Sequence, residues 1–275
     1  MRVLVTGAGG NIGSTWARHA SAVAAGGGGH ELRLTDVNAE ALEAVADCGE
    51  VVVADMGDLD AVKSLCAGME VVVHLAGNPD PSATWESLHA VNVVGTYHAF
   101  VAAKAAGCRR VVFASSIHAV SGYEPDVQVK TWEPVNPGDL YGVSKCFGEA
   151  LGRYMAEQEG LSVLALRIGA FQPPETAAGE RGAEILDYFV SHRDLCQLID
   201  RSVEAPADVR WAILHGLSEN RFKRLDLSDT RRRVGYAPVD DAARLHEPVR
   251  AALPEEPSPG NVHAPGQESG LRADL

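Results

Sequence analysis

The chain is poor in several things that mark whole classes of protein. Lys and Arg number 24 against 37 Asp and Glu in 275 residues, a formal charge of -13. Such a shortage of positive charge repels phosphate backbones and anionic lipid surfaces, so neither nucleic acid nor membrane is an expected partner. The five cysteines (Cys48, Cys66, Cys108, Cys146 and Cys196) are odd in number and widely scattered, with no C-x-x-C pair and no histidine at zinc-finger spacing. That excludes a disulfide framework and leaves reduced, mostly buried thiols, the usage of a cytoplasmic protein. No cluster of ligating side chains calls for a metal. No apolar run approaches the about eighteen residues of a membrane span, and the N-terminal run ahead of the first glycine is too short for a secretory signal. No internal repeat is visible.

What is present is the pattern of a globular α/β chain. Hydrophobic residues make up 46% and charged residues 22%, enough to build a core without staples. Short β-branched runs recur at Arg2 to Thr6, Glu31 to Thr35, Val51 to Ala54, Val71 to Leu75 and Arg110 to Ser115. Between and after them lie helical periods: Ile12 to Ala24, Ala39 to Ala46, Leu59 to Ala67, Trp85 to Ala106 and Leu140 to Glu157. Strands alternating with helices, and apolar on both faces, predict a doubly wound parallel sheet, the Rossmann arrangement. A sixth strand is expected over Leu161 to Ile168 and a later one over Val209 to Leu214, with a helix over Asp194 to Val203. The division expected is a dinucleotide-binding core over 1–168, a small C-terminal substrate lobe over 169–252 and a loosely held Pro/Gly/Ser-rich tail over 253–275. Gly26 to Gly29 reads as a flexible surface turn.

Thr6 to Gly13 reads TGAGGNIG, with glycines at 7, 10 and 13 between a strand and a helix. Glycines there permit a tight turn and let a pyrophosphate approach backbone N–H groups at a helix N-terminus. About twenty residues on, Asp36 ends the second strand, where a carboxylate can accept both hydroxyls of an adenosine ribose and would repel a 2'-phosphate. Val37 and Asn38 follow with no Arg beside them, so NAD is favoured over NADP. The plainer role for Asp36, capping the next helix, is one that Asn38 fits at least as well. Asp55 with Met56, and Leu75-Ala76-Gly77, fall at the carboxyl ends of the third and fourth strands, the edge where open α/β sheets bind ligands.

Tyr141 and Lys145 in YGVSK are four apart on a predicted helix and so share a face. An ammonium beside a phenol favours the phenolate and is expected to bring Tyr141 towards neutral pH. Alone the pair is weak evidence, because spacings of this kind arise by chance. Ser115 and Ser116 end the fifth strand, where a serine pair is often only a turn or cap. The glycine loop, acid, serine and Tyr/Lys pair in this order support one another.

Taken together the motifs resemble the extended short-chain dehydrogenase/reductases, over nearly the whole chain. TGAGGNIG is similar to that family's glycine signature, ADMGD to its adenine-side acids, HLAG to its fourth-strand motif and VNVVGT to its helix asparagine, here Asn92. FASS with YGVSK is similar to its Ser-Tyr-Lys set. Within the family VVFASSIHAV, LYGVSKCFGEALGRY and LRIG look most like uronate dehydrogenases and NAD-dependent sugar dehydrogenases of haloarchaea, with HLAGNPDPSATW and GERGAEILDYFVSHRD leaning to the latter.

The resemblance implies NAD-dependent oxidation of the C1 hemiacetal of a uronic acid or aldose to its lactone, with Ser116, Tyr141 and Lys145 catalytic. It implies cofactor contacts from Gly7, Gly10, Asn11, Ile12, Gly13, Asp36, Val37, Asn38, Asp55, Met56, Leu75, Ala76, Gly77, Asn92, Tyr141, Lys145 and Ile168. Substrate contacts would come from Ser116, Ile117, His118, Tyr141, Ala170 and Arg181. Ile117 stands where both groups carry Asn, and Ala170 where they carry Ser or Asn, so two polar sugar contacts are missing. His118 also fits a strand-end surface histidine. A sugar-phosphate dehydrogenase, a nucleotide-sugar epimerase or dehydratase, and a non-catalytic NAD-sensing regulator share the fold. Apolar residues on more than one face of Trp85 to Ala106 and Leu140 to Glu157 hint at a homo-oligomer, a dimer or higher.

Overall fold

Residues 1–253 are described by a computed structural model; the expected tail, Leu253 aside, lies outside them. The β-branched runs become β1 (Arg2–Thr6), β2 (Glu31–Asp36), β3 (Glu50–Val53), β4 (Val71–His74), β5 (Arg110–Ser116) and β6 (Ser162–Ile168), followed by the short β7 (Ala170–Phe171) and β8 (Phe189–Val190) and by β9 (Trp211–Gly216). Seven of them form one sheet in the order β3-β2-β1-β4-β5-β6-β9, every neighbour parallel. Alternate side chains of the central strands enter different cores. Val3, Val5, Val71, Val73, Leu164 and Leu166 pack on one face, while Leu4, Val72, Val111, Phe113, Val163 and Ala165 pack on the other. Burial on both faces is what parallel strands with crossover helices require, and the order reverses between β1 and β4, which opens a crevice at their carboxyl ends.

The helices are α1 (Asn11–Ala25), α2 (Ala39–Glu43), α3 (Leu59–Cys66), α4 (Trp85–Ser87), α5 (Gly95–Ala105), α6 (Leu140–Glu157), α7 (Pro174–Ala178), α8 (His192–Val203), α9 (Ser228–Val234), α10 (Ala242–Leu245) and α11 (Glu247–Ala252). α1 and α8 pack side by side, where the Trp16 indole donates to Asp200 at 2.8 Å. α6 lies close on β5 and β6 because it presents glycines. A Cβ on Gly148 would stand 2.2 Å from Cζ of Phe113, and one on Gly152 2.8 Å from Cγ1 of Val163.

Several boundaries differ from expectation. The helix expected over Trp85 to Ala106 is interrupted by a π-helical turn, Leu88–Val94, between α4 and α5. α2 stops at Glu43, after which the chain continues in turns, with Val45 N–H bonded to Leu42 O. β9 starts two residues later than expected because Val209 closes a turn on Pro206. α8 begins at His192 because the Ser191 hydroxyl accepts from Asp194 N–H and caps it. Beyond Gly169 lie the two-stranded β7–β8 pair and a small apolar cluster of Ala177, Ile185, Phe189 and Ala242. In the tetraglycine, Gly27 and Gly29 take positive φ of 93° and 115° and make the turn into β2.

Candidate active site

The glycine loop is built for close approach. Gly7 has φ 69°, and a Cβ there would lie 2.7 Å from Ala76 N. A Cβ on Gly13 would strike Gly7 O at 2.2 Å, so the loop can turn tightly into α1 only with glycine at both places. α1 has no side-chain cap and no acid in its first turn, so its first N–H groups and its dipole remain available to an anion. Gly10 and Asn11 are exposed at this mouth, with Ile12 half-buried behind them. These features fit a dinucleotide pyrophosphate.

Asp36 accepts from Gly9 N–H at 3.1 Å and Asn38 N–H at 3.0 Å. Asn38 caps α2, accepting from Glu40 and Ala41 N–H, so Asp36 is not the cap. A carboxylate already held by two N–H groups keeps lone pairs for a ribose diol. Val37 stands 69% exposed beside it. Asp55 is exposed and accepts from Gly57 N–H at 2.8 Å, while Met56 is buried and its carbonyl takes a bond from His98 Nδ1 at 2.8 Å.

Leu75, Ala76 and Gly77 follow β4 half-buried. Asn92, expected to meet the cofactor, is buried and hydrogen-bonded to protein partners. Its Oδ1 accepts from Asn78 N–H at 2.7 Å, and its Nδ2 donates to Asn78 O and Ser144 Oγ, both at 3.0 Å. It therefore clamps the loop after β4 to α6. Ile168 is buried at the carboxyl end of β6.

Ser116, Tyr141 and Lys145 come together at the carboxyl end of β5. The Ser116 Oγ accepts from His118 N–H at 3.2 Å, capping the 3-10 turn Ile117–Val120, and the hydroxyl is near enough to the Tyr141 phenol to favour its ionised form. Ser115 faces α6 and donates to Glu149 Oε1 at 2.6 Å. Lys145 Nζ lies 5.5 Å from the Tyr141 ring centre and 5.3 Å from that of Phe113, with Gly77 beside it. The ammonium does not lower the phenol as expected. Burial pushes Tyr141 up, the nearby Ser116 hydroxyl opposes this, and the Asp139 carboxylate adds to the rise. Lys145 itself is pushed down to about 8 by burial. With both groups out of water, desolvation outweighs their attraction.

His118 is packed edge-on to Tyr141, ring centres 5.3 Å apart, and its Nδ1 faces Asp139 Oδ2 at 2.6 Å. Ile117 is buried in the main core, and Ala170 sits in β7, its N–H bonded to Tyr188 O at 2.7 Å. Arg181 lies on the 3-10 turn Glu180–Ile185 with its side chain 76% exposed, facing Glu184 at 3.5 Å. It is not gathered with the other site residues. Two groups escaped the sequence reading: Asp139, whose signal was its place just before the helix, and Glu149, four residues past Lys145. Glu149 is buried and takes bonds from Arg167 Nε and Nη2, both at 2.9 Å, so α6 is pinned to β6 through its centre.

A nucleotide-binding crevice at the switch point of a doubly wound sheet, bordered by a Ser, a Tyr and a Lys, defines a Rossmann-fold enzyme. The model of the NAD dependent epimerase/dehydratase family matches residues 3–195, and the chain belongs to that family. It is similar to an NAD-dependent glucose-6-phosphate dehydrogenase of Haloferax volcanii, 36% identical over 88% of this chain and 95% of that one. It is also similar to a uronate dehydrogenase of Pseudomonas putida, 31% identical over 94% of this chain and 90% of that one. Among solved structures, a glucuronic acid dehydrogenase from Chromohalobacter salexigens superposes with TM-score 0.80 at 30% identity, covering 94% of this chain and 92% of the other. Uronate dehydrogenase from Agrobacterium tumefaciens complexed with NAD gives TM-score 0.79 at 31% identity, with coverage of 94% and 92%.

Proposed function

We propose that the protein oxidises the C1 hemiacetal of a monosaccharide, a uronic acid or an aldose, to its lactone with NAD. One observation carries this reading: Ser116, Tyr141 and Lys145 gather at the carboxyl end of β5, with the glycine loop across the crevice. The relatives supply the substrate class, since their names specify uronate, glucose-6-phosphate and L-arabinose. NAD, when bound, accepts hydride from the sugar carbon. Tyr141 as phenolate takes the C1 hydroxyl proton, and Ser116 holds that oxygen by hydrogen bond. Lys145 bonds the nicotinamide ribose, and Asp36 takes the adenosine ribose in place of a 2'-phosphate.

The expected division at residue 168 holds only in part, because α8 packs on α1 and β9 extends the main sheet; we assign the sugar to the segments around β7 and β8. Trp85, Val91, Tyr97, Val143, Phe147 and Tyr154 are exposed along α4, α5, α6 and the π-helical turn. An apolar stripe of this kind supports pairing of two copies through these helices. No described helix is long and apolar enough to cross a membrane. The free cysteines suit the reducing cytoplasm, where we place the enzyme.

The test is NADH formation with a panel of uronates, neutral aldoses and sugar phosphates. Turnover of at least one, with the lactone as product, is expected. No turnover of any sugar, or release of an epimer or dehydrated sugar, overturns the reading.

A further inference from the structure

We propose that Asp139 is a positioning residue that holds His118 with its Nε2 turned as a hydrogen-bond acceptor towards a hydroxyl of the sugar. The inference rests on the sugar-oxidising reading above for its ligand, and on the geometry of one carboxylate for the rest. Asp139 Oδ1 accepts from Gly142 N–H at 2.7 Å and so caps α6, while Oδ2 faces His118 Nδ1 at 2.6 Å. A single side chain thus ties the turn after β5 to the helix that carries Tyr141.

The backbones are in equally close contact. A Cβ on Gly142 would fall 2.2 Å from His118 O, so the two segments meet with no side chain between them. Against this fixed frame the His118 ring stands edge-on to Tyr141, its plane at 69° to the phenol.

The chemistry follows from the donor inventory. An ionised carboxylate only accepts, so the proton of the neutral imidazole must sit on Nδ1, and Nε2 keeps its lone pair. Among the described residues no group hydrogen-bonds Nε2, and the side chain is 32% exposed beside Tyr141. A hydroxyl of a sugar placed with its C1 oxygen on Ser116 and Tyr141 can donate to that lone pair. Capping alone does not demand this arrangement, because a serine or asparagine caps as well as an aspartate. The second carboxylate oxygen is what the histidine uses.

Asp139→Asn separates the two roles. The amide oxygen can keep the cap, but the amide nitrogen then faces Nδ1 as a donor, so the proton must move to Nε2 and the acceptor is lost. The expected result is a rise in KM for the sugar of about tenfold, the loss of one hydrogen bond, with kcat and NAD affinity affected far less. Asp139→Ser should raise KM in the same way while the thermal midpoint stays that of a capped helix. In a His118→Ala background Asp139→Asn should add nothing.

Nitrogen chemical shifts of His118, recorded on the protein without sugar, should place the proton on Nδ1 in the wild type and on Nε2 in Asp139→Asn. A KM rise of the same size with and without His118, or a proton that stays on Nδ1 in the variant, overturns the proposal. A wild type that oxidises no sugar overturns the substrate reading and the hydroxyl contact with it. The nitrogen shifts then decide the Asp139–His118 pairing by themselves.

Discussion

Gly148→Ala should push the helix that carries Tyr141 and Lys145 off the sheet. The added Cβ would lie 2.2 Å from Cζ and 2.5 Å from Cε1 of Phe113. Carbon atoms settle at about 3.5–4.0 Å, so helix or ring must yield by about 1.3 Å or more. The ring has nowhere to go: it is buried, stacks on His74 with centres 6.0 Å apart and meets Phe100 edge-on at 5.7 Å. Two effects compete. Replacing a mid-helix glycine by alanine gains about 1 kcal/mol of helix propensity, and overpacking a core costs about 1–3 kcal/mol. Because neither neighbour can give way cheaply, the cost should prevail by about 1–2 kcal/mol, a fall in melting midpoint of about 2–6 °C for a domain of this size. Turnover should fall further than stability suggests, since a shift of about 1 Å in a reacting group can cost about a hundredfold. Thermal denaturation and kcat/KM on the best sugar measure both, and Phe113→Leu in the same chain should recover part of each. A Gly148→Ala protein with the wild-type midpoint and turnover would refute the packing argument.

Tyr141→Phe should lower turnover by about 10² to 10⁴ while NAD still binds. Because burial raises the Tyr141 phenol, wild-type turnover should climb with pH, and a flat profile would count against a phenolate base. Lys145→Met should weaken NAD and turnover yet raise the melting midpoint at pH 7. Burial pushes the Lys145 ammonium from 10.5 down to about 8, so the buried charge costs up to about 3 kcal/mol below that pH and the cost fades as pH rises through the window. A lower midpoint for the variant would sink this. Asp36→Ala should narrow the preference for NAD over NADP, as titration of both cofactors would show, and equal affinities in the wild type would remove the role given to Asp36. Arg181→Ala should raise KM for an acidic sugar more than for its neutral counterpart if the exposed guanidinium swings into the pocket on binding; equal effects would leave Ile117 and Ala170 as marks of a pocket for an uncharged sugar.

Much of this architecture is written locally. Runs such as VLV and VVV are β-branched or apolar at every position, as strands covered on both faces are, and they became parts of β1 and β4. The glycine loop and the Tyr-Lys spacing are short-range patterns whose geometry follows from the backbone alone. What escaped notice depends on partners far along the chain. Glu149 was not singled out, because only the packing of α6 on β6 brings Arg167 to it. Asn92 was read as a cofactor contact from its motif, which does not show that its amide also joins the loop after β4 to Ser144 of α6. The influence of Lys145 on Tyr141 was judged from their spacing, which says nothing of how far both are removed from water.

The π-helical turn at Leu88–Val94 bears on how this chain tolerates insertions and deletions. A turn of this kind holds one residue more than the α-helix on either side, and such turns are frequent at functional sites. Removing one residue, Val91 for example, would let the segment run as a continuous α-helix and would rotate one flank by about 100° relative to the other. α5 is locked by Ala99, Phe100 and Ala103 in the core, so the rotation would fall on the side towards α4. Ser87, whose Oγ accepts from Asn78 Nδ2 at 2.9 Å, would swing away from the loop after β4. The surplus residue is therefore a spacer, and at its exposed positions such as Val91 the turn should tolerate changes of side chain more readily than changes of length, while Leu88 and Asn92 stay fixed by burial and hydrogen bonds.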